Sequence, residues 1–469
     1  MTEALKKISD TVSRFVGTVS FLVSMFVLAC IVVVTHQPVI GLMVFLWIGI
    51  IVLICSDDLI SLFFPFLLVS VFLIKCFNSY DTFIRLIWMV IPFAAALVIN
   101  LIRFPRKAVL GPSFTGILAV SVAVTLGGLG KITPSEFFSG VSVYYTLGLG
   151  FGMLAAYLFF SGRIKEETIK KTGERFALIM TLVAAFCCFM VLEHYIENIS
   201  AVIATKSLLD FQWRNNIATM LMLSMPFPFY LSEKKNPYIA LGILTYICIL
   251  FSGSRGGLIF GTVEFALCLI YDVVYDRSHR KLNLAVFSLL LVLVVISSQD
   301  IFGFLSKTID RIFEFKENKI RLGLMRRAVD DFKSNPLFGR GLAYFGNRDI
   351  HRSVKFALCW YHSSPFQVIG SFGIFGVVCY LFQLALRLKI FFERISFFTC
   401  TLCVSWVALE MMSLVNPGVF CPVPYLLLLT LMFTIMEKCD KVHVKSDNAQ
   451  TGSDDTETEN DNLIRSDLK

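Results

Sequence analysis

The chain reads as an all-α, polytopic membrane protein with about 12–14 transmembrane helices. Three observations predict this class. Hydrophobic residues make up 56% of the chain, charged residues only 16%, and the mean hydropathy is +0.74; a soluble chain carries about 25% charge. Apolar runs of roughly bilayer-crossing length, about 20 residues, recur from about residue 15 to residue 437. The runs are continuous rather than alternating, which argues against a β-barrel.

About fourteen spans centre near residues 25, 47, 68, 93, 119, 151, 185, 224, 245, 266, 290, 375, 404 and 430. The first, about 15–35, is too long for the apolar stretch of a secretory signal, and no small-x-small cleavage pattern follows it. It is read as an uncleaved span, and residues 1–14, with Lys6, Lys7 and Arg14, as a cytoplasmic N-terminus. The basic connectors at 103–107, 162–175, 233–236, 276–281 and 387–394 then fall inside, and the outer connectors "THQP", "NSYD" and "GKITPSE" are poor in Lys and Arg. Only "SDD" at 56–58 lacks inner positive charge.

Two outer segments are longer. One is about twenty residues, "EHYIENISAVIATKSLLDFQWRN"; the other is a large extracytoplasmic loop, 300–363, between the first eleven spans (15–299) and the last three (364–437). Within it, Leu322, Met325, Val329 and Phe332 have helical spacing and end at an Asn-Pro stop, predicting an amphipathic helix whose basic surface lies along lipid headgroups. Residues 438–469 are polar, acidic and aperiodic, and read as a disordered cytoplasmic tail.

The formal charge of +8 belongs mostly to span-flanking Lys and Arg, so it implies membrane lipids and no nucleic acid. The thirteen cysteines lie mostly in apolar runs, with no paired spacing that suggests disulfides. Cys400-x-x-Cys403 lacks a second pair and reads as core. No internal repeat is visible, nor a matched pair of broken helices of the kind transporters carry. Glu264 and Glu410 fall inside spans and are read as interhelical partners, although they also lend a transporter its best support.

Four outer segments carry candidate chemistry. "SGSRGG" sets Arg255 among Gly253, Gly256 and Gly257 at a helix start, a phosphate-binding arrangement or an arginine reaching for headgroups. "WYHSSPFQVIGSFGIFG" places His362 just before a span, with Gln367 a turn inside; it reads as a general base or an interfacial histidine, with Gly370, Gly373 and Gly376 permitting close helix packing. Arg321 opens the amphipathic helix, before "NPLFGRG", facing either a ligand or headgroups. Asn215 and Asn216 open the eighth span, as caps or as hydrogen-bonding partners of a sugar.

In this order the four segments resemble the bacterial O-antigen ligase and Wzy-type polymerase superfamily. The resemblance rests on Asn216-Ile-Ala; Ser252-Gly-Ser254-Arg255-Gly256; Arg321 through Ala328 with Asn335-Pro336-Leu-Phe-Gly339-Arg-Gly341; and His362-Ser-Ser-Pro-Phe-Gln367 with Gly373. It covers residues from about 213 to 376; the first two hundred match only as apolar spans. Met325 stands where the family often has Trp, and Ser363 where it often has Asn.

The resemblance implies a metal-independent glycosyltransferase without cofactor, in the bacterial plasma membrane, with its site on the extracytoplasmic face. Its donor would be a glycan on undecaprenyl diphosphate and its acceptor a glycan or lipid hydroxyl. A flippase and a chain-length regulator would be partners in polysaccharide assembly. Arg255 and Arg321 would hold the diphosphate, and His362 would deprotonate or orient the acceptor. Ser252, Ser254, Gly256, Asn216, Gln367, Gly339 and Gly341 would contribute to substrate binding. The resemblance implies no metal: no Asp-x-Asp pair stands in the outer segments, and arginines can take the cation's role. Polymerase and ligase share these motifs; the polymerase reading is preferred on the generality of that step. A lipid-linked glycan flippase is the alternative from another class.

Overall fold

A computed structural model describes residues 3–75, 87–130, 140–313, 315–342, 361–416 and 418–441. The acidic tail from 442 on, the connectors at 78–81 and 131–136, and residues 343–360 of the long loop lie outside the described residues.

The described residues form α-helices without a strand. In chain order these are α1 (Glu3–Val16), α2 (Val19–Val34), α3 (Pro38–Cys55), α4 (Leu59–Lys75), α5 (Val90–Arg103), α6 (Pro112–Leu126), α7 (Gly140–Leu149), α8 (Phe151–Ser161), α9 (Ile169–Glu197) and α10 (Ile199–Thr205). They continue with α11 (Arg214–Ser224), α12 (Pro226–Ser232), α13 (Tyr238–Phe251), α14 (Arg255–Tyr275), α15 (Arg280–Ile296), α16 (Ser298–Phe313), α17 (Phe315–Ser334), α18 (Ser364–Glu393), α19 (Phe397–Ser413) and α20 (Leu427–Met436). Each of the fourteen predicted centres falls inside one of them. The protein is an all-α polytopic membrane protein. Among the described residues, four helices are long and apolar enough to cross a bilayer alone, and the bent pairs α1–α2 (78°) and α15–α16 (69°) raise that to six. The remaining apolar helices are shorter, 10–17 residues.

Helix α9 is the central post. Ala177, Val183, Ala184, Phe186, Cys187 and Met190 on it are fully buried, and it packs on α2, α4, α11, α12 and α13. Small residues let neighbours approach closely: a Cβ at Gly173 would stand 2.9 Å from the Phe398 ring. The outward faces are apolar instead. Val19, Val23, Val27 and Ile31 form an exposed stripe along α2, and Ile259, Val263, Leu267, Ile270 and Val274 another along α14. Stripes of this extent are liabilities in water and normal against lipid.

Three of the basic connectors predicted to share a side, 162–175, 233–236 and 387–394, are joined by ion pairs, directly or through residues 438–441. Lys234 Nζ lies 2.6 Å from Glu174, Lys438 3.5 Å from Glu166, and Lys441 3.5 Å from Glu393. Arg106 pairs with Asp57, so the "SDD" connector draws its positive charge from the next connector along. At this end the chain also closes on itself. Glu437, just after α20, accepts the Tyr157 phenol at 2.7 Å and the Ser113 amide at 3.1 Å, completing the first turn of α6.

At the opposite end α18 is broken. Gly373 adopts φ +62°, ψ −157°, and the segment 336–341 runs into the gap. Arg340 N–H donates to Gly370 O (2.8 Å) and Gly341 N–H to Ser371 O (2.8 Å). In return Ile374 N–H donates to Pro336 O (2.8 Å) and Phe375 N–H to Leu337 O (3.2 Å). The sequence reading gave Gly373 to helix packing and Gly339 and Gly341 to substrate. All three have positive φ, and a Cβ at Gly339 or Gly373 would stand 2.4 Å from facing backbone. Gly339 and Gly373 thus serve a backbone splice.

Helix α17 has two distinct faces. Leu322 and Val329 are exposed, whereas Leu324, Ala328 and Asp331 are buried, on the same face as half-buried Arg321. The polar pair Arg321 and Asp331 thus faces the protein. Glu410 has its expected partners on neighbouring turns and helices, Arg387 at 3.3 Å and Trp406 Nε1 at 3.0 Å. Glu264 does not: it is fully buried with neither carboxylate oxygen hydrogen-bonded.

Gly339→Ala is expected to destabilise the detergent-solubilised protein, because left-handed backbone costs an L-residue about 1–2 kcal/mol before any clash. Gly323→Ala, where a Cβ meets nothing within 4 Å, is the control and is expected to match or exceed the wild type. Thermal unfolding monitored by size-exclusion fluorescence distinguishes the two.

Candidate functional site

The turn between α13 and α14 is built by its own serines. Ser252 donates to Ile249 O (2.6 Å) and accepts the Ser254 amide (3.2 Å). Gly253 takes φ +64°, reversing the chain. Ser254 caps α14 by accepting the Gly257 amide (3.2 Å), and its hydroxyl donates to Asn215 Oδ1 (2.8 Å). Both serines are buried to within 1%. Their hydroxyls are used within the turn and by Asn215, so they shape the site.

Arg255 is therefore the first residue of α14, where the helix dipole already favours an anion. Gly256 follows because α19 passes too close for a side chain: a Cβ there would meet Met412 Sδ at 2.7 Å.

These residues open onto one polar cleft. Arg255, Gly253 and Gly256 line it together with Arg214, Asn215, Arg321, Met412, Val415 and Asn416. Two of the arginines singled out in the sequence thus meet, although 66 positions (321 − 255) separate them. A third, Arg214, was missed; it sits in "WRNN" and is ion-paired one turn back to Asp210. Asn215 rather than Asn216 lines the cleft. Asn216 instead offers its backbone carbonyl to the Tyr425 phenol at 3.1 Å. Asn416, just beyond α19, carried no sequence signal. The loop beside the cleft is pinned by Tyr195, whose phenol donates to Phe251 O (2.8 Å) and accepts the Leu209 amide (3.2 Å).

His362 stands two residues before α18, half-buried, with φ +52°. It is tied to the same end of α19 that lines the cleft, since Ser364 Oγ donates to Ser413 O at 2.8 Å. Gln367 is fully buried. Its Oε1 accepts the Tyr361 amide (3.0 Å) and its Nε2 donates to Ser371 Oγ (2.9 Å), so it organises the histidine turn.

Three guanidiniums, two carboxamides and a helix start surround one small cleft, an arrangement whose charge favours an anion. One group among the described residues has metal-ligand geometry: His36, Glu193 and Glu197. It shares no residue with the cleft.

The fold and cleft together define a helical membrane protein with an arginine-lined cleft in its bundle. Residues 240–381, which contain Arg255, Arg321 and His362, match the family described as O-antigen ligase. The match supports the O-antigen ligase/Wzy superfamily, a role in cell-surface polysaccharide assembly and an enzyme of the glycosyltransferase kind. No curated protein and no solved structure matches the chain.

Ser254→Ala removes the α14 cap and the Asn215 anchor together. It is expected to cost about 1 kcal/mol of stability and to weaken binding of a diphosphate probe, while Ser254→Thr retains both functions. Isothermal titration with inorganic diphosphate checks the pair.

Proposed function

We propose that this chain transfers a glycan from undecaprenyl diphosphate to an acceptor hydroxyl on the outer face of the bacterial plasma membrane, without a metal ion. The observation that carries this reading is the convergence of Arg214, Arg255 and Arg321 on one cleft. The cleft lies at the end of the bundle opposite the interlinked basic connectors. With those connectors in the cytoplasm, it opens outside, where no nucleotide sugar is present.

The acceptor oxygen attacks the anomeric carbon, a new C–O bond forms, and the bond to the lipid diphosphate breaks. The leaving diphosphate gains negative charge, and cations already in place lower that barrier without reorganising. Guanidinium remains protonated and offers paired donors to phosphate oxygens. His362 receives the acceptor's proton or orders its hydroxyl. Asn215 and Asn416 add neutral donors and acceptors for phosphate or sugar. The acceptor of a polymerase is the next lipid-linked repeat unit; that of a ligase is a different carrier.

Arg255→Lys keeps the charge but loses the fork, and kcat is expected to fall about 100-fold. The assay supplies purified protein in detergent with a synthetic undecaprenyl-diphosphate oligosaccharide and EDTA, and follows free lipid diphosphate and glycan length. A ladder of longer lipid-linked chains, lost in His362→Ala, marks a metal-independent polymerase. Release only with a second acceptor class marks a ligase. Donor binding without turnover on any acceptor sinks the transferase reading in favour of a flippase.

A further inference from the structure

The geometry points to Asp331 and Tyr361 as positioning residues that hold the His362 turn and lock it to the arginine-bearing helix α17. This inference rests on the role proposed for His362.

Tyr361 is fully buried and held at both ends. Its phenol donates to Asp331 Oδ2 at 2.6 Å, and its backbone amide donates to Gln367 Oε1 at 3.0 Å. Between those anchors the ring lies over Gly370, where a Cβ would stand 2.6 Å from it. The next residue, His362, is forced into left-handed backbone, which costs an L-residue about 1–2 kcal/mol. Ser363 is extended and Ser364 begins α18. A strained conformation persists only where its surroundings overdetermine it. Tyr361 supplies that constraint immediately before the histidine.

Asp331 is 6% exposed and stands ten residues, almost three turns, after Arg321 on the same buried face of α17. Arg327 Nε lies 3.5 Å from its side-chain oxygens and Arg340 Nε 4.0 Å, so guanidinium charge stands beside the phenol's partner. A carboxylate–phenol bond of this length is of the charge-assisted kind. Arg340 is itself part of the splice into α18, donating its amide to Gly370 O. The arginine assigned to the diphosphate and the histidine assigned to the acceptor are therefore carried by one fixed assembly. A displacement of about 1 Å in such an arrangement costs on the order of 100-fold in rate.

The test uses full-length protein with Tyr361→Phe, Asp331→Asn, the double variant, and Asp330→Asn as an exposed control. Each single variant is expected to lower kcat about 10- to 100-fold with donor KM little changed. The double variant is expected to be no worse than the poorer single one, because both delete the same bond. A second readout does not need turnover: the imidazole resonance of His362 in histidine-labelled protein, identified by its loss in His362→Ala, is expected to shift in Tyr361→Phe. That variant removes a single oxygen, so it remains informative where Asp331→Asn fails to fold. Normal kcat with an unshifted resonance, or fully additive losses, overturns the inference. A wild type inactive on every acceptor, with the resonance still shifted, refutes the transferase reading and leaves the positioning role standing.

Discussion

A helix that breaks inside a bundle leaves amides and carbonyls without partners, and hydrocarbon offers none. The site end of this protein is organised around one such break. At Gly373 the helix α18 stops hydrogen-bonding to itself and bonds to segment 336–341 instead, with two amides donated in each direction. Irregular backbone at this depth is tolerated only where protein satisfies it. The exchange fixes the end of α17 against the start of α18. Arg321, Asp331, Tyr361 and His362 inherit their relative places from it. The Asn-Pro-Leu-Phe-Gly-Arg-Gly stretch follows from the same constraint: Gly339 must lie against the Ser371 backbone without a side chain.

A second economy is visible in the polar side chains near the cleft. Ser252, Ser254 and Gln367 are buried with their hydrogen-bonding groups engaged inside the protein. Arg214, Arg255, Arg321, Asn215 and Asn416 are the groups at the cleft wall. Two hydroxyls and the Gln367 amide shape the turns, while three arginines and two asparagines line the opening. An unsatisfied buried hydroxyl costs about 1–3 kcal/mol, which explains why the motif's serines are closed by partners on their own turn and by Asn215.

Much of the architecture was legible in the sequence because twenty-residue apolar runs have few other uses. The grouping of basic connectors was equally legible, since charge beside a span reports on sidedness. The orientation of α17 was not. Leu322, Met325, Val329 and Phe332 are evenly spaced, but Leu322 and Val329 point outward and the face with Asp331 points inward. In water an apolar stripe marks the buried side; at a membrane the outside is apolar too, so periodicity loses its sign. Arg255 and Arg321 were found because cations in an apolar setting demand a reason. Arg214 and Asn416 were passed over because one has a local carboxylate, Asp210, and the other adjoins a proline. Asn216 stood in for Asn215 because adjacent residues at a helix start differ by about 100° in direction, which sequence alone does not resolve.

The Glu437 cap has a consequence for how the protein is made. The first turn of α6 relies on a carboxylate 324 positions further along, shared with the Tyr157 phenol. During synthesis α6 and α8 enter the membrane long before Glu437 exists. Until then the Ser113 amide and the Tyr157 hydroxyl must be served by water or headgroups. Helix α20 therefore closes a gate left open by α6, and this part of the bundle reaches its final state only once residue 437 has left the ribosome.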